Sequence, residues 1–375
     1  MTINKITEGE AIILAEDVDV ASREQEVFYN KEMELNRSVT IALLRKLPNT
    51  HMKVALPLAG SGVRALRLLL ELPPEKIEIV KANDMKEKAV SRMRENLKLN
   101  TIDENKMIIS HEDGNVFLQA EAGFDYIDVD PFGSPNIVLN ETVAHARKGG
   151  IIAITATDTA ALAGTYPQAC KQKYQAVSAP MPQRHEMGLR ILARKAIMTG
   201  MHYTKRLTPI LSYHEKHYYR IFFKVEKGKQ KAASAYEHIN SHYHHCPHCG
   251  FHETSNGAKK KCPHCQGEFS WAGPLYDGPL QDKAMVTMLE EETKENKRLT
   301  RLFAKLKEEA RLDIPGFYDT HQLAQQLETP LKKVKDITAK LEKKGYKAVQ
   351  TATVPEGIKT DAPYEDVKEV MREKK

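Results

Sequence analysis

No apolar run in this 375-residue chain approaches the length of a membrane span, and 28% of its residues are charged, so no membrane partner is expected. The amino end lacks the signature of a secretory leader: Met1–Glu10 is polar, and Ile12–Ala15 is too short an apolar stretch to form one. Cysteine is scarce. There are five, and four of them fall in Cys-x-x-Cys pairs. That pattern argues against a disulfide framework and for a metal held in a reducing compartment, which makes the cytoplasm the expected location. Charge of one sign is only slightly in excess: the formal net charge is +6 and the pI near 8.8, a mild bias towards a polyanionic partner. The length predicts two or three domains.

Several familiar motifs are also incomplete. Ala59-Gly60-Ser61-Gly62-Val63-Arg64 follows a strand pattern at Met52–Leu58, but it is not a full G-x-G-x-x-G and no P-loop lysine comes after it. His185-Glu186 opens a helical pattern, but residue 189 is Leu, so H-E-x-x-H is absent and the pair reads as hydrogen-bonded packing. What is present is a strand, a Gly-rich turn and a helix. The glycines let backbone approach a ligand, and the helix amino end offers free N–H groups.

Further acids follow at the ends of the next strand patterns. Ile77–Asn83 ends at Asp84, where an acid takes the ribose hydroxyls of an adenosine cofactor. Met107–Ser110 precedes Asp113, placed to accept from an adenine amino group, and Gly114, which leaves room for the ring. Phe124–Val129 then runs into Asp130-Pro131-Phe132-Gly133-Ser134-Pro135. The Asp130 carboxylate and Pro131 carbonyl can accept hydrogen bonds from an exocyclic amine, and the Phe132 ring can lie flat on a heterocyclic base. After a helix, Ile151–Thr155 reads as the next strand. Strands alternating with helices predict an α/β fold with a parallel sheet wound on both faces. Leu207–Tyr213 and Tyr218–Val225 are expected to close it as antiparallel strands. The four pieces in this order describe a Rossmann-like class I methyltransferase using S-adenosylmethionine.

The second half is different in character. Cys246, Cys249, Cys262 and Cys265 lie in two knuckles around a short polar hairpin, the pattern of a structural zinc ribbon. The surrounding histidines (His242, His244, His245, His248, His252 and His264) read as exposed and basic, and with Lys259, Lys260 and Lys261 they are expected to face RNA phosphates. Lys283 to about Arg311 reads as one long charged helix. Two helical patterns at Thr320–Leu327 and Pro330–Tyr346, followed by a strand at Ala348–Thr351, suggest a winged-helix-like module in an α+β carboxyl-terminal region. The expected division is 1–228 for the methyltransferase domain, 229–285 for the zinc ribbon and 286–375 for a helical, winged-helix-like region that binds RNA through residues such as Lys332, Lys333 and Lys335.

Longer segments resemble one family. Val27-Phe28-Tyr29-Asn30, Leu35-Asn36-Arg37, Ser61-Gly62-Val63-Arg64, Asp128-Val129-Asp130-Pro131-Phe132-Gly133-Ser134-Pro135 and Thr155-Ala156-Thr157-Asp158 occur in register with Cys170-x-x-Lys173-Tyr174, His185-Glu186-x-Gly188-x-Arg190-Ile191-Leu192 and Gly357-Ile358-Lys359-Thr360. Together, from about residue 8 to about 367, they resemble the tRNA guanine-26 N2-dimethyltransferase (Trm1) family, archaeal-like. The resemblance implies transfer of one or two methyl groups from S-adenosylmethionine to N2 of guanosine 26 of tRNA, by a monomer. It implies that Arg37, Arg64, Asp84, Asp113 and Gly114 contact the cofactor. Asp130, Pro131 and Phe132 would hold the guanine, with Phe28 closing the pocket from the other side. One position departs from the family pattern: the acid usual at the end of the first strand is replaced by Leu56. Two alternatives stand beside this reading, methylation of an amino group on another nucleic-acid base, and a non-catalytic zinc-ribbon nucleic-acid-binding protein whose methyltransferase fold is inert.

Overall fold

The computed structural model describes residues 3–16 and 27–373. Ile3–Glu8 (β1) and Ala11–Glu16 (β2) form an antiparallel hairpin turning at Gly9, whose φ of +56° favours glycine. The central sheet is built from Met52–Leu56 (β3), Ile77–Asn83 (β4), Met107–Ser110 (β5), Phe124–Val129 (β6), Ala146–Ala156 (β7), Lys205–Glu215 (β8) and Tyr218–Lys227 (β9). Their spatial order is β5-β4-β3-β6-β7-β9-β8. Strands β3 to β7 run parallel, and the expected antiparallel closure is present, with β9 against β7 and β8 against β9.

Side chains alternate across this sheet with a period of two. Tyr126, Ile151 and Phe222 face one buried core, which holds Leu43, Leu66 and Met93 from the helices Glu34–Lys46, Val63–Glu71 and Glu87–Leu99. Ile127, Ile152 and Phe223 face the other, with Val143 and Leu192 from Leu139–His145 and Arg184–His202. Each fully buried aliphatic side chain contributes about 1.5–3 kcal/mol relative to exposure. Because β3 has β4 on one side and β6 on the other, the chain direction switches between β3 and β6. The crevice that open α/β sheets use for ligands lies at their carboxyl ends.

The segment from Lys283 is two helices, Lys283–Glu292 and Lys297–Glu309, where one was expected. Asn296 ends the continuity: its side chain accepts from the N–H groups of Arg298 and Leu299 and starts a new helix. Val286, Leu289, Leu299, Phe303 and Leu306 from this pair join the first core.

Ser241–His245 (β10), His252–Ser255 (β11) and Ser270–Leu275 (β12) form a three-stranded sheet in the order β11-β10-β12. Tyr318–Asp319 (β13), Ala348–Gln350 (β14) and Gly357–Thr360 (β15) form another, in the order β13-β15-β14. It packs with the helices Thr320–Gln326, Val334–Lys343 and Tyr364–Arg372 around Leu323, Ile337, Leu341 and Val367. No helix among the described residues is long and apolar enough to cross a membrane.

His185 and Glu186 are both hydrogen-bonded within the packing, each to different partners. The His185 Nδ1 lies 3.0 Å from the Tyr219 hydroxyl. The buried Glu186 Oε1 instead accepts from Arg190 Nε (2.9 Å), Gly316 N (3.0 Å) and Lys359 Nζ (2.8 Å). Two segments with no evident chemistry in the sequence therefore meet in one buried ion cluster.

Candidate active site

Asp130 leaves the carboxyl end of β6 beside the Gly-rich turn after β3. Gly60 and Gly62 there have φ of +55° and +77°. A Cβ on Gly60 would stand 2.9 Å from the Phe28 carbonyl, so the turn requires glycine for space as well as for φ. Asp84 fastens this turn: its Oδ2 accepts from Gly60 N and its Oδ1 from Lys86 N, each at 2.9 Å. Buried Asn83, which the sequence left without a role, ties three strand ends together. Its amide donates to the carbonyls of Pro57 (3.1 Å) and Glu112 (2.9 Å) and accepts from Glu112 N (3.0 Å).

Asp113 caps the helix Gly114–Gln119 by accepting from Asn115 N at 2.8 Å, and bonds to that residue's backbone and side chain hold its carboxyl below the usual range. Gly114 is tightly seated: a Cβ would fall 2.9 Å from Val138 Cγ1. Phe28, Arg37, Leu56, Ser61, Arg64, Asp128 and Asp130 line one cleft. Phe28 meets Phe132 edge-on at 4.8 Å between centroids, and Phe132 is 38% exposed.

Both predicted cofactor arginines are held by carboxylates. Arg37 donates through Nε to Glu8 Oε1 at 2.6 Å and also pairs with Glu8 Oε2. Arg64 reaches Asp130 Oδ2 (2.5 Å) and Asn36 Oδ1 (2.9 Å) through Nη2, and Thr40 Oγ1 (3.1 Å) and Asp128 Oδ2 (3.2 Å) through Nη1. Glu8, Asn36, Thr40 and Asp128, with Arg220, whose Nη atoms donate to both Asp128 oxygens, are participants left without a role in the sequence reading. The only sequence signal was Asp128, two positions before Asp130 and therefore on the same face of the strand.

S-Adenosylmethionine fits this cleft on the donor and acceptor set. Carboxylates stand after β4 and β5, and the buried Ser61 Oγ of the Gly-rich turn has no hydrogen-bond partner among the described residues. Where Leu56 replaces the usual acid, the carboxylates lining the cleft are Asp128 and Asp130, both already paired with arginine.

The four cysteines come together as expected. Their sulfurs all lie within 4.8 Å of one another, with Cys246–Cys265 at 3.4 Å and Cys249–Cys262 at 3.6 Å. A tetrahedral zinc with Zn–S near 2.3 Å needs sulfurs about 3.8 Å apart, so the cluster is compatible with zinc. The ribbon docks on the carboxyl-terminal module: Gln326 Nε2 donates to the Pro247 carbonyl at 2.7 Å, and the Tyr364 hydroxyl donates to the Cys249 carbonyl.

Two readings of the basic surface need correction. His244 and His245 are 0% and 2% exposed, and burial pushes both imidazoles below their ordinary pKa; His244 Nε2 accepts from Lys259 N at 2.8 Å. Lys332 donates to the carbonyls of Val370 and Glu373, each at 2.6 Å, and so caps a helix end. Lys259 pairs with Glu253 at 2.8 Å. Lys260, Lys261, Lys333 and Lys335 are exposed.

The whole chain has close counterparts. A family model described as TRM: N2,N2-dimethylguanosine tRNA methyltransferase matches residues 9–372. A tRNA (guanine(26)-N(2)/guanine(27)-N(2))-dimethyltransferase of Aquifex aeolicus is 37% identical, over 98% of this chain and 95% of that one. A tRNA (guanine(26)-N(2))-dimethyltransferase of Methanothermobacter thermautotrophicus is 35% identical over 98% of each. The solved complex of Trm1 from Pyrococcus horikoshii with S-adenosyl-L-methionine superposes with a TM-score of 0.85 at 33% identity, covering 99% of this chain and 100% of that one. With its fold, its cleft and nearly all of its length matched in this way, the chain belongs to the N2,N2-dimethylguanosine tRNA methyltransferase family.

Proposed function

We propose that this enzyme transfers one or two methyl groups from S-adenosylmethionine to the exocyclic N2 of guanosine 26 in tRNA. The observation that carries this reading is the Asp130-Pro131-Phe132 turn standing against the Gly-rich turn at the switch point of the sheet, with Phe28 packed on Phe132. Asp84 and Asp113 hold the adenosine, Gly114 leaves room for it, and Arg37 and Arg64 contact the cofactor from the cleft wall. When bound, S-adenosylmethionine supplies an electrophilic methyl group.

The chain's own task is to present a weak nucleophile. The N2 lone pair of guanine is delocalised into the ring. Asp130 and the Pro131 carbonyl accept the two N2 hydrogens, which localises the lone pair and orients it. The Arg64 bond occupies one Asp130 oxygen and fixes the carboxylate plane. Phe132 stacks on the base, and Phe28 turns aside to admit it. A paired, stacked guanosine cannot reach this cleft, so the nucleotide is flipped out. The departing proton leaves through Asp130 or solvent.

The four thiolates hold a structural zinc. Residues 1–228 form the catalytic unit, 229–285 the ribbon and 286–375 a winged-helix-like region. Lys260, Lys261, Lys333 and Lys335 grip tRNA phosphates on a cytoplasmic monomer. Incubation with labelled S-adenosylmethionine and unmodified tRNA, followed by nucleoside analysis, tests the reading. The expected products are N2-methylguanosine and N2,N2-dimethylguanosine at position 26, and label on any other nucleoside would refute it.

A further inference from the structure

Asp128 and Asp130 project from the same face of β6, one link apart, and neither is isolated. Arg220, wholly buried on β9, grips Asp128 with both Nη atoms, Nη1 to Oδ1 at 2.8 Å and Nη2 to Oδ2 at 2.6 Å. The Tyr126 hydroxyl adds a third bond to Asp128, at 2.5 Å. Arg64 then spans from Asp128 to Asp130. Thr40 Oγ1 accepts from both arginines, at 3.1 and 3.0 Å, and Thr155 Oγ1 receives Arg220 Nη1 at 2.9 Å. The result is a four-member chain, Arg220, Asp128, Arg64, Asp130, in which charges alternate. It runs from the sealed interior to the cleft.

A buried carboxylate needs a cation. Arg220 satisfies Asp128 in bidentate fashion, so Arg64 touches Asp128 through Nη1 alone and keeps Nη2 for Asp130. Without Arg220, the buried Asp128 charge would draw Arg64 towards itself and away from Asp130. Building on the functional reading above, we infer that Arg220 is a positioning residue for methyl transfer: by neutralising Asp128 it leaves Arg64 to hold the Asp130 carboxylate against the target amine.

Three proteins test this: wild type, Arg220→Met, and Arg220→Met combined with Asp128→Asn. For each, kcat and the KM for tRNA are measured, with the S-adenosylmethionine Kd by calorimetry and the melting temperature. Folded Arg220→Met should lose at least about 30-fold in kcat, with KM and Kd within threefold of wild type. The double variant removes the charge that captures Arg64, and should regain at least tenfold of that kcat. A folded Arg220→Met with a smaller loss of kcat, or a folded double variant that regains less than tenfold, would overturn the inference, because a purely structural role leaves turnover intact once the protein is folded. If Arg220→Met does not fold, the double variant decides: activity within about 30-fold of wild type supports the inference, and a folded double variant with less than that overturns it. Wild-type protein that forms no N2-methylguanosine would instead refute the functional reading itself.

Discussion

Asp130 carries its charge at the mouth of a polar network, whereas Asp128, two residues earlier, carries its charge in the interior. Burial alone would raise the Asp128 pKa; Arg220 and Arg64 overcome it and hold the carboxyl below the ordinary range. This division of labour sets the residue-scale predictions. Asp130→Ala should abolish methyl transfer while leaving cofactor affinity nearly unchanged, because in the proposed mechanism the carboxylate meets the amine and not the adenosine; calorimetry alongside a methylation assay checks both halves. Asp84→Ala should do the converse and weaken S-adenosylmethionine by about 1.5–3 kcal/mol, the scale of a charge-assisted hydrogen bond, measured by calorimetry. The catalytic turn was legible because acid-Pro-aromatic after an apolar strand is compact in sequence. The network beneath it was not. Asn36, Thr40, Arg64, Asp128 and Arg220 span 184 positions, and a polar residue at a helix or strand position gives no local sign that it points inward.

At the scale of elements, hydrophobic periodicity located the strands of the central sheet and the helices between them to within a few residues. It failed where a polar residue acts on backbone. The break at Thr293–Asn296 depends on the capping bonds of one asparagine, which a charged amphipathic stripe does not reveal. The histidines of β10 read as surface because four cysteines already complete a metal site, yet both faces of that strand are covered, His244 lying by Phe269 on one and Tyr243 by Gly316 on the other. The cysteine knuckles were legible because ligand spacing is itself the signal. Metal analysis should find one zinc per chain. Cys262→Ser should lower the melting temperature by about 5–10 °C, a few kcal/mol for a unit of this size, and weaken tRNA binding with kcat at saturating tRNA unchanged; a differential scan with and without chelator is the check.

In the whole molecule, the three expected segments share surfaces more than a linear reading suggests. A truncation after Met285 would strip Leu289, Leu299, Phe303 and Leu306 from the first core. The informative deletion therefore starts at Leu312. It should raise the KM for tRNA strongly and flatten its salt dependence, while S-adenosylmethionine still binds, as tested by kinetics at two ionic strengths. Glu186 is one of the groups that hold the module removed by that cut, beside Gln183, Glu309 and the ribbon carbonyls of Pro247 and Cys249. Burial would raise the pKa of the Glu186 carboxyl, but Lys359 and Arg190 hold it down to about 2. A depressed folded-state pKa means its stabilisation is complete above about 4.5 and is lost as pH falls from there towards 2. Undocking of the carboxyl-terminal module should accordingly accompany acidification, seen as a low-pH transition that Glu186→Gln abolishes by weakening the docking at every pH.

One carboxylate oxygen thus works as a latch pin: backed by Arg190 on its own helix, it fastens two other stretches of chain, at Gly316 and Lys359. Withdrawing the pin would give proteases access to the connecting stretch 311–316, which the intact cluster keeps against the helix Arg184–His202. Glu186→Gln exposed briefly to trypsin at pH 7 should be cut after Arg311 far faster than wild type, releasing the last sixty or so residues as a folded fragment.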